Sequence, residues 1–326
     1  MPHRALAVVL AALLHAAPVA ARTLVVGDGG ATLTDAVRAA HDGDTIRIGP
    51  GTYFECASLT QQDLVLEGAG PLTVLSDKTC EAKAVLVVRG ANLTVRNLTL
   101  ARARVPDMNG AGMRLEAPGL TLERVRFENN QVGLLAAMAG PGRIRITECW
   151  FEGGGVAGDR PTAAVMAGAV DLLQIERSTF TQVKGGQIST AAARTELTGN
   201  RIETGVEPGA GPAVLAVAGT LVMRDNTVAL GPNPPSRNAA VLADGAGAEL
   251  RGNRLENTTG AAQRLLLDWM GASPVLDGNI VPPGDTLVSS SGAWRHRAGG
   301  LARDVLGEAR AAASAAKRAA KGLLGR

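Results

Sequence analysis

One unit recurs along this chain, and its recurrence constrains the fold more than any single motif. The stretch Leu93-Thr-Val-Arg-Asn-Leu-Thr-Leu100 returns as Leu120-Thr-Leu-Glu-Arg-Val-Arg-Phe127. Asn109-Gly-Ala-Gly-Met-Arg114 returns more loosely as Asn130-Gln-Val-Gly-Leu-Leu135. Each copy reads as one alternating strand, a polar turn and a second short apolar strand. A single copy has too little apolar surface to fold alone, so neighbouring copies must stack. The last apolar residue of the first strand recurs as Leu100, Phe127, Phe151, Phe180, Ile202, Val228, Leu255 and Val281, at intervals of 27, 24, 29, 22, 26, 27 and 26. Two residues earlier stand Leu98, Val125, Cys149 and Ser178, then Asn200, Asn226, Asn253 and Asn279. Four asparagines in register predict a ladder of side-chain amides running from coil to coil.

The second apolar strand begins near Val85, Gly112, Gly133, Ala164, Gln187, Ala213, Ala239 and Leu265. Two strands per unit and uneven loops distinguish the pattern from leucine-rich repeats, which use one strand and shorter periods. The hexapeptide rhythm of left-handed β-helices is absent. Aromatics make up only 2% of a chain that is 46% hydrophobic. The core is therefore thin and built from small aliphatics, which suits a solenoid. The expected fold is all-β, a right-handed, single-stranded parallel β-helix of about 9–10 coils.

The N-terminal region adds a resemblance. Thr32 to Ala40 reads as a short amphipathic helix, with Thr32 and Asp35 in a capping-box arrangement. The strand Gly43-Asp-Thr-Ile-Arg-Ile48 and the turn Pro50-Gly-Thr-Tyr53 follow. This order resembles the N-terminal cap of pectin-lyase-like right-handed parallel β-helix proteins. A helix across the end of a solenoid protects its apolar cross-section and unpaired strand. The stretch from Cys80 through Asn109-Gly-Ala-Gly-Met-Arg114 to Asn130-Gln-Val-Gly-Leu-Leu-Ala136 is most similar to bacterial exported β-helix repeat proteins without assigned activity. The resemblance implies the fold and a relation to polysaccharide, since pectate lyases, polygalacturonases and alginate epimerases share the solenoid. Their catalytic patterns do not carry over. No His lies between Asp42 and Arg295, which argues against His-based acid–base chemistry in the solenoid.

Three segments are expected. Residues 1–21 read as a signal peptide: basic His3 and Arg4, an apolar run from Ala5 to Ala17, and small residues before Arg22. Residues 22–298 form the β-helix, and residues 299–326 a basic, Ala-rich helical tail. Residues 295–326 carry eight basic and two acidic side chains, whereas residues 22–294 carry 24 basic and 28 acidic ones. An acidic body argues against a nucleic-acid partner. The basic tail is read as a cap or as an arm for an anionic surface. No transmembrane span, metal or cofactor is expected. Export to the periplasm, cell surface or exterior fits the cysteines: Cys56 and Cys80 lie about one coil apart and are expected to pair, with Cys149 a buried free thiol.

The candidate site is the turn edge shared by the two copies. Asp107 and Glu128 occupy corresponding positions, two residues before Asn109 and Asn130. If they stack, their repulsion raises one pKa and gives an acid beside a base. Asp107, Glu128 and Arg114 are the catalytic candidates, and Arg104, Asn109, Asn130 and Trp150 the candidate substrate contacts. The leading expectation is a polysaccharide-interacting protein. The alternatives are a lyase or glycoside hydrolase for acidic glycans, or a purely structural surface protein.

Overall fold

The computed structural model describes residues 21–290, except 28, 139, 157–161, 206 and 269–272. Its strands form three parallel sheets of 11, 9 and 10 members, here sheets A, B and C, wound as about ten coils. Sheet A runs from Thr23–Val26 to Val275–Asp277, sheet B from Gly51–Tyr53 to Arg254–Asn257, and sheet C from Ala57–Leu59 to Thr286–Ser290. The chain visits A, B and C in turn and steps up one coil per circuit. The expected signal peptide, residues 1–21, falls almost wholly outside the described residues, and the tail, residues 299–326, falls entirely outside them.

Each coil has three strands rather than the two read from the repeat. The alternating stretch Leu93 to Leu100 is divided into Leu93–Arg96 of sheet A and Thr99–Ala101 of sheet B. Asn97 makes the corner with φ 57. The same corner carries Arg124, Glu148, Arg177, Gly199, Asp225, Gly252 and Gly278, all with positive φ. Five of these eight are not glycine, so in their coils no glycine interrupts the alternation in the sequence. Left-handed backbone costs a non-glycine residue ~1–2 kcal/mol. After Glu148, Arg177 and Asp225 the next residue joins a hydrogen-bonded ladder, which offsets that cost.

The ladder follows the expected register. Asn200 donates its Nδ2 to Asn226 Oδ1 at 2.9 Å and to the Ile175 carbonyl at 2.9 Å. Asn226 and Asn253 repeat the pattern toward Asn253 and Asn279. It continues downward through Ser178 and Cys149: the Ser178 amide donates to Asn200 Oδ1, the Cys149 amide to Ser178 Oγ, and the Val125 amide to Cys149 Sγ. Next to it, Phe127, Phe151 and Phe180 stack with centroids 4.7 Å apart, the spacing of adjacent strands.

The helix Leu33–Ala39 covers the first coil with Leu33 and Ala36 buried. Thr32 caps it by accepting the Asp35 amide, and the Glu55 carboxylate accepts the amides of Leu33 and Thr34. Arg22 pairs with buried Asp44 at 2.7 Å, and its backbone amide donates to the same carboxylate at 2.8 Å. Hydrogen bonding from Arg22 holds Asp44 far below the ordinary carboxylate range. Cys56 and Cys80 are disulfide-bonded with Cα atoms 5.5 Å apart. Cys149 is free and buried, and burial pushes its thiol up to about 12.

Candidate functional site

The residues expected to form one site are distributed over two sheet faces, a loop and the interior. Glu128 ends a sheet B strand in register with Ala101 below and Glu152 above, so Asp107 does not stack under it. Before the turn the two coils match at an offset of 27, as in Glu128 against Ala101. After it they match at 21, as in Val132 against Ala111. The lower coil holds the difference in a wider loop, residues 102–110. Gln131 closes that loop from above: its buried Oε1 accepts the amides of Val105 and Gly110, both at 2.8 Å. Asp107 stands exposed on the loop without a hydrogen bond or ion pair among the described residues, and Asn109 is half-buried beside it.

Asn130 is 3% exposed and serves the fold instead of a ligand. It accepts the Ala103 amide and donates to the Leu100 carbonyl. Arg104 is exposed, but its guanidinium holds the Asn129 side chain at 2.7 Å and the Asn129 carbonyl. Trp150 projects from sheet B as expected, 42% exposed, between Arg126 and Thr179 of the adjacent coils. Arg114 projects from sheet C, a different face from that of Glu128 and Trp150.

Around Arg114 the fold assembles a charged cluster that the sequence reading did not pick out. Glu116 Oε1 accepts from Arg114 Nε at 2.9 Å and from Lys83 Nζ at 2.8 Å, and Arg89 Nε lies 3.1 Å from Glu116 Oε2. Arg89 also pairs with Glu81, which accepts from Ser58 Oγ at 2.8 Å. The offset of 27 places Arg89 beneath Glu116, so following charged residues through the repeat would have exposed the pair. Burial pushes Glu116 up, yet the hydrogen bonds from Lys83 and Arg114 outweigh it and leave the carboxyl below its ordinary value. Arg89 holds Glu81 down to about 2. Both carboxylates are therefore anions at neutral pH, and neither is a general acid. Three cations face two anions, which leaves a positive excess. Ser58 also lines a groove of about 370 Å³ against the N-terminal helix, where Lys78 and Arg38 share the lining with Glu55 and Arg38 pairs with Asp35 at 3.3 Å. Among the described residues no group of three or more His, Cys, Asp and Glu has metal-site geometry.

Coils of three parallel strands, an internal asparagine ladder and a helical N-cap make this chain a right-handed parallel β-helix. An alginate lyase from Paenibacillus sp. str. FPU-7 is similar over 82% of this chain and 98% of its own, at 15% identity and a TM-score of 0.53. A pectin methylesterase from carrot matches over 82% of this chain and 88% of its own, at 14% identity and a TM-score of 0.46. One from Erwinia chrysanthemi matches over 90% and 98%, at 13% identity and a TM-score of 0.43. No family model matches the sequence, and neither does any curated protein. At such identities the likeness is one of fold.

Proposed function

We propose that this protein is an exported β-helix that binds an acidic polysaccharide without cleaving it, on the first coils of sheet C and the adjoining groove. The observation that carries the reading is the convergence of Lys83, Arg89 and Arg114 on Glu116. A uronate carboxylate can take the place of Glu116 or Glu81 on these cations, and Arg presents two parallel donors to it. Lys78 extends the strip into the groove, along a chain of repeating negative charge. The ionised state of both cluster carboxylates supports binding over acid-catalysed hydrolysis at this cluster, since neither holds a proton to donate. Export agrees with the Cys56–Cys80 disulfide. No helix among the described residues is long and apolar enough to cross a membrane.

Binding to polygalacturonate and alginate, with a neutral glucan as control, tests the reading by calorimetry at two salt concentrations. Arg89→Ala and Arg114→Ala are expected to weaken binding several-fold. Glu116→Gln is expected to strengthen it, because it frees the cations from their internal competitor. Salt-insensitive binding, or binding indifferent to all three substitutions, would remove the site from this face.

A further inference from the structure

The outer face of sheet C is unlike those of sheets A and B. Sheet A strands alternate buried and half-exposed residues, as in Val65–Gly68 and Leu120–Glu123. Sheet C strands such as Ala84–Val88, Val132–Ala136 and Ala239–Ala243 are buried at every position. Continuous burial of that kind marks a strand covered on both faces. The central outward row of sheet C passes in register through Leu135, Met166, Ser189, Leu215, Leu242 and Leu267. Leu135, Leu215, Leu242 and Leu267 are 4%, 7%, 7% and 6% exposed, against 42% for Trp150 on the outer face of sheet B.

A side chain pointing out of a single-walled solenoid meets only its neighbours in the sheet, so its tip reaches water unless another layer lies over it. Polar atoms on this row behave as if sealed: the hydroxyls of Ser189 and Ser289 are shielded from solvent and have no hydrogen-bond partner. Arg237 and Asp244 lie at opposite rims of the row's far half. Burial lowers the pKa of the first and raises that of the second. Among the described elements, none packs across the row, and the helix Leu33–Ala39 packs on strands of the first two coils.

We propose that the segment Leu301–Leu324 lies as a helix along the outer face of sheet C, running from the last coil toward the first. The described chain ends at Thr286–Ser290, the terminal strand of sheet C itself, so the segment starts beside the face it would cover. Residues 1–21, by contrast, adjoin sheet A through Thr23–Val26. As a helix, its 24 residues would extend ~36 Å, about seven to eight strand spacings. That length exceeds the six spacings between the last strand and Leu135, so the helix covers the Leu row and stops at the edge of the Arg114 cluster. At ~100° per residue, Leu301, Val305, Ala309, Ala312, Ala316 and Leu323 fall within roughly 80° of arc. Arg303, Arg310, Lys317, Arg318 and Lys321 fall on the opposite side, where a docked helix keeps them in water. The alanines in the stripe let the helix approach the Leu row closely.

The inference does not depend on the glycan reading. A single thiol introduced by Leu242→Cys reports it through its rate of reaction with a disulfide reagent. Three chains are compared: full length, lacking 299–326, and lacking 1–21. The thiol is expected to be slow in the full chain and in the chain lacking 1–21, and at least about tenfold faster without the tail. Rapid reaction in all three means the face is open. Slow reaction in all three means another layer covers it, such as a second copy, and protection lost with 1–21 assigns the cover to the leader. Each of these overturns the proposal. If the shortened chain does not fold, judged by circular dichroism and reaction of Cys149, full-length Val305→Asp/Leu323→Asp takes its place, and the same rise in rate is required.

Discussion

Replacing Asn226 by alanine should destabilise the middle of the solenoid far more than the same change at Asn279. Asn226 is 1% exposed. Its Oδ1 accepts the Asn200 amide and Asn200 Nδ2, both at 2.9 Å, and its Nδ2 donates to the Leu197 carbonyl at 2.8 Å and to Asn253 Oδ1 at 2.9 Å. Alanine removes the acceptor of two buried donors and the side-chain donor to one buried carbonyl. Leaving a buried group unsatisfied costs ~1–3 kcal/mol, so the three together should cost roughly 3–9 kcal/mol. The Asn253 Oδ1 still accepts the backbone amide of residue 226 at 3.0 Å, which keeps the estimate from rising further. Asn279 makes equivalent bonds at the end of the ladder but is only partly buried. Water can replace it, and its loss should cost about 1 kcal/mol. Urea unfolding of both variants gives the comparison. Hydrogen exchange of the flanking coils shows whether the loss is local, as a solenoid with nearest-neighbour coupling requires. Equal costs at the two positions, or a cost below about 1 kcal/mol at Asn226, would refute the claim that the ladder is a chain of buried, mutually dependent bonds.

Further predictions concern other parts of the molecule. Phe151 lies between Phe127 and Phe180 in the stack, so Phe151→Ala should cost ~3–5 kcal/mol in denaturant unfolding, more than Trp150→Ala beside it. Asp44 has a depressed pKa in the folded state, so its contribution is present above the unfolded value of ~3.9 and is lost as pH falls through the folded one. Acid unfolding below about pH 4 should therefore weaken in pH dependence in Asp44→Asn, and that variant should be less stable at pH 7. Cys149 should resist alkylation at pH 8 until denaturant is added, while reducing Cys56–Cys80 should lower stability by ~3 kcal/mol.

The coil register was legible because it rests on apolar identity at fixed phase. Phe127, Phe151 and Phe180 announce one column, and Asn200 to Asn279 another. The disulfide and the buried thiol follow once that register is set. The number of strands per coil was not legible. A corner made by Asn97, Arg124 or Glu148 in the left-handed region leaves apolar residues on both sides at the spacing of an unbroken strand. Nothing in the composition marks the bend as glycine would. The helix cap by Glu55 was equally silent, because its partners lie 21 and 22 residues away.

The candidate site shows where repeat arithmetic fails. Asp107 and Glu128 were matched by one offset, although the coil has two, 27 before the turn and 21 after it. Only residues on the strands inherit the register, and Asp107 stands in the loop that accommodates the difference. Arg89 and Glu116 sit at the matched ends of adjacent sheet C strands and keep the offset of 27, so their proximity is dictated by the ladder itself. Charged groups at strand ends are therefore placed by the fold, whereas those on wide loops are placed by side chains such as Gln131 that clamp the loop base. A functional surface on this solenoid should be sought first where strand ends bring charges together. By that rule the cluster of Lys83, Arg89, Arg114 and Glu116 outranks the turn edge bearing Asp107.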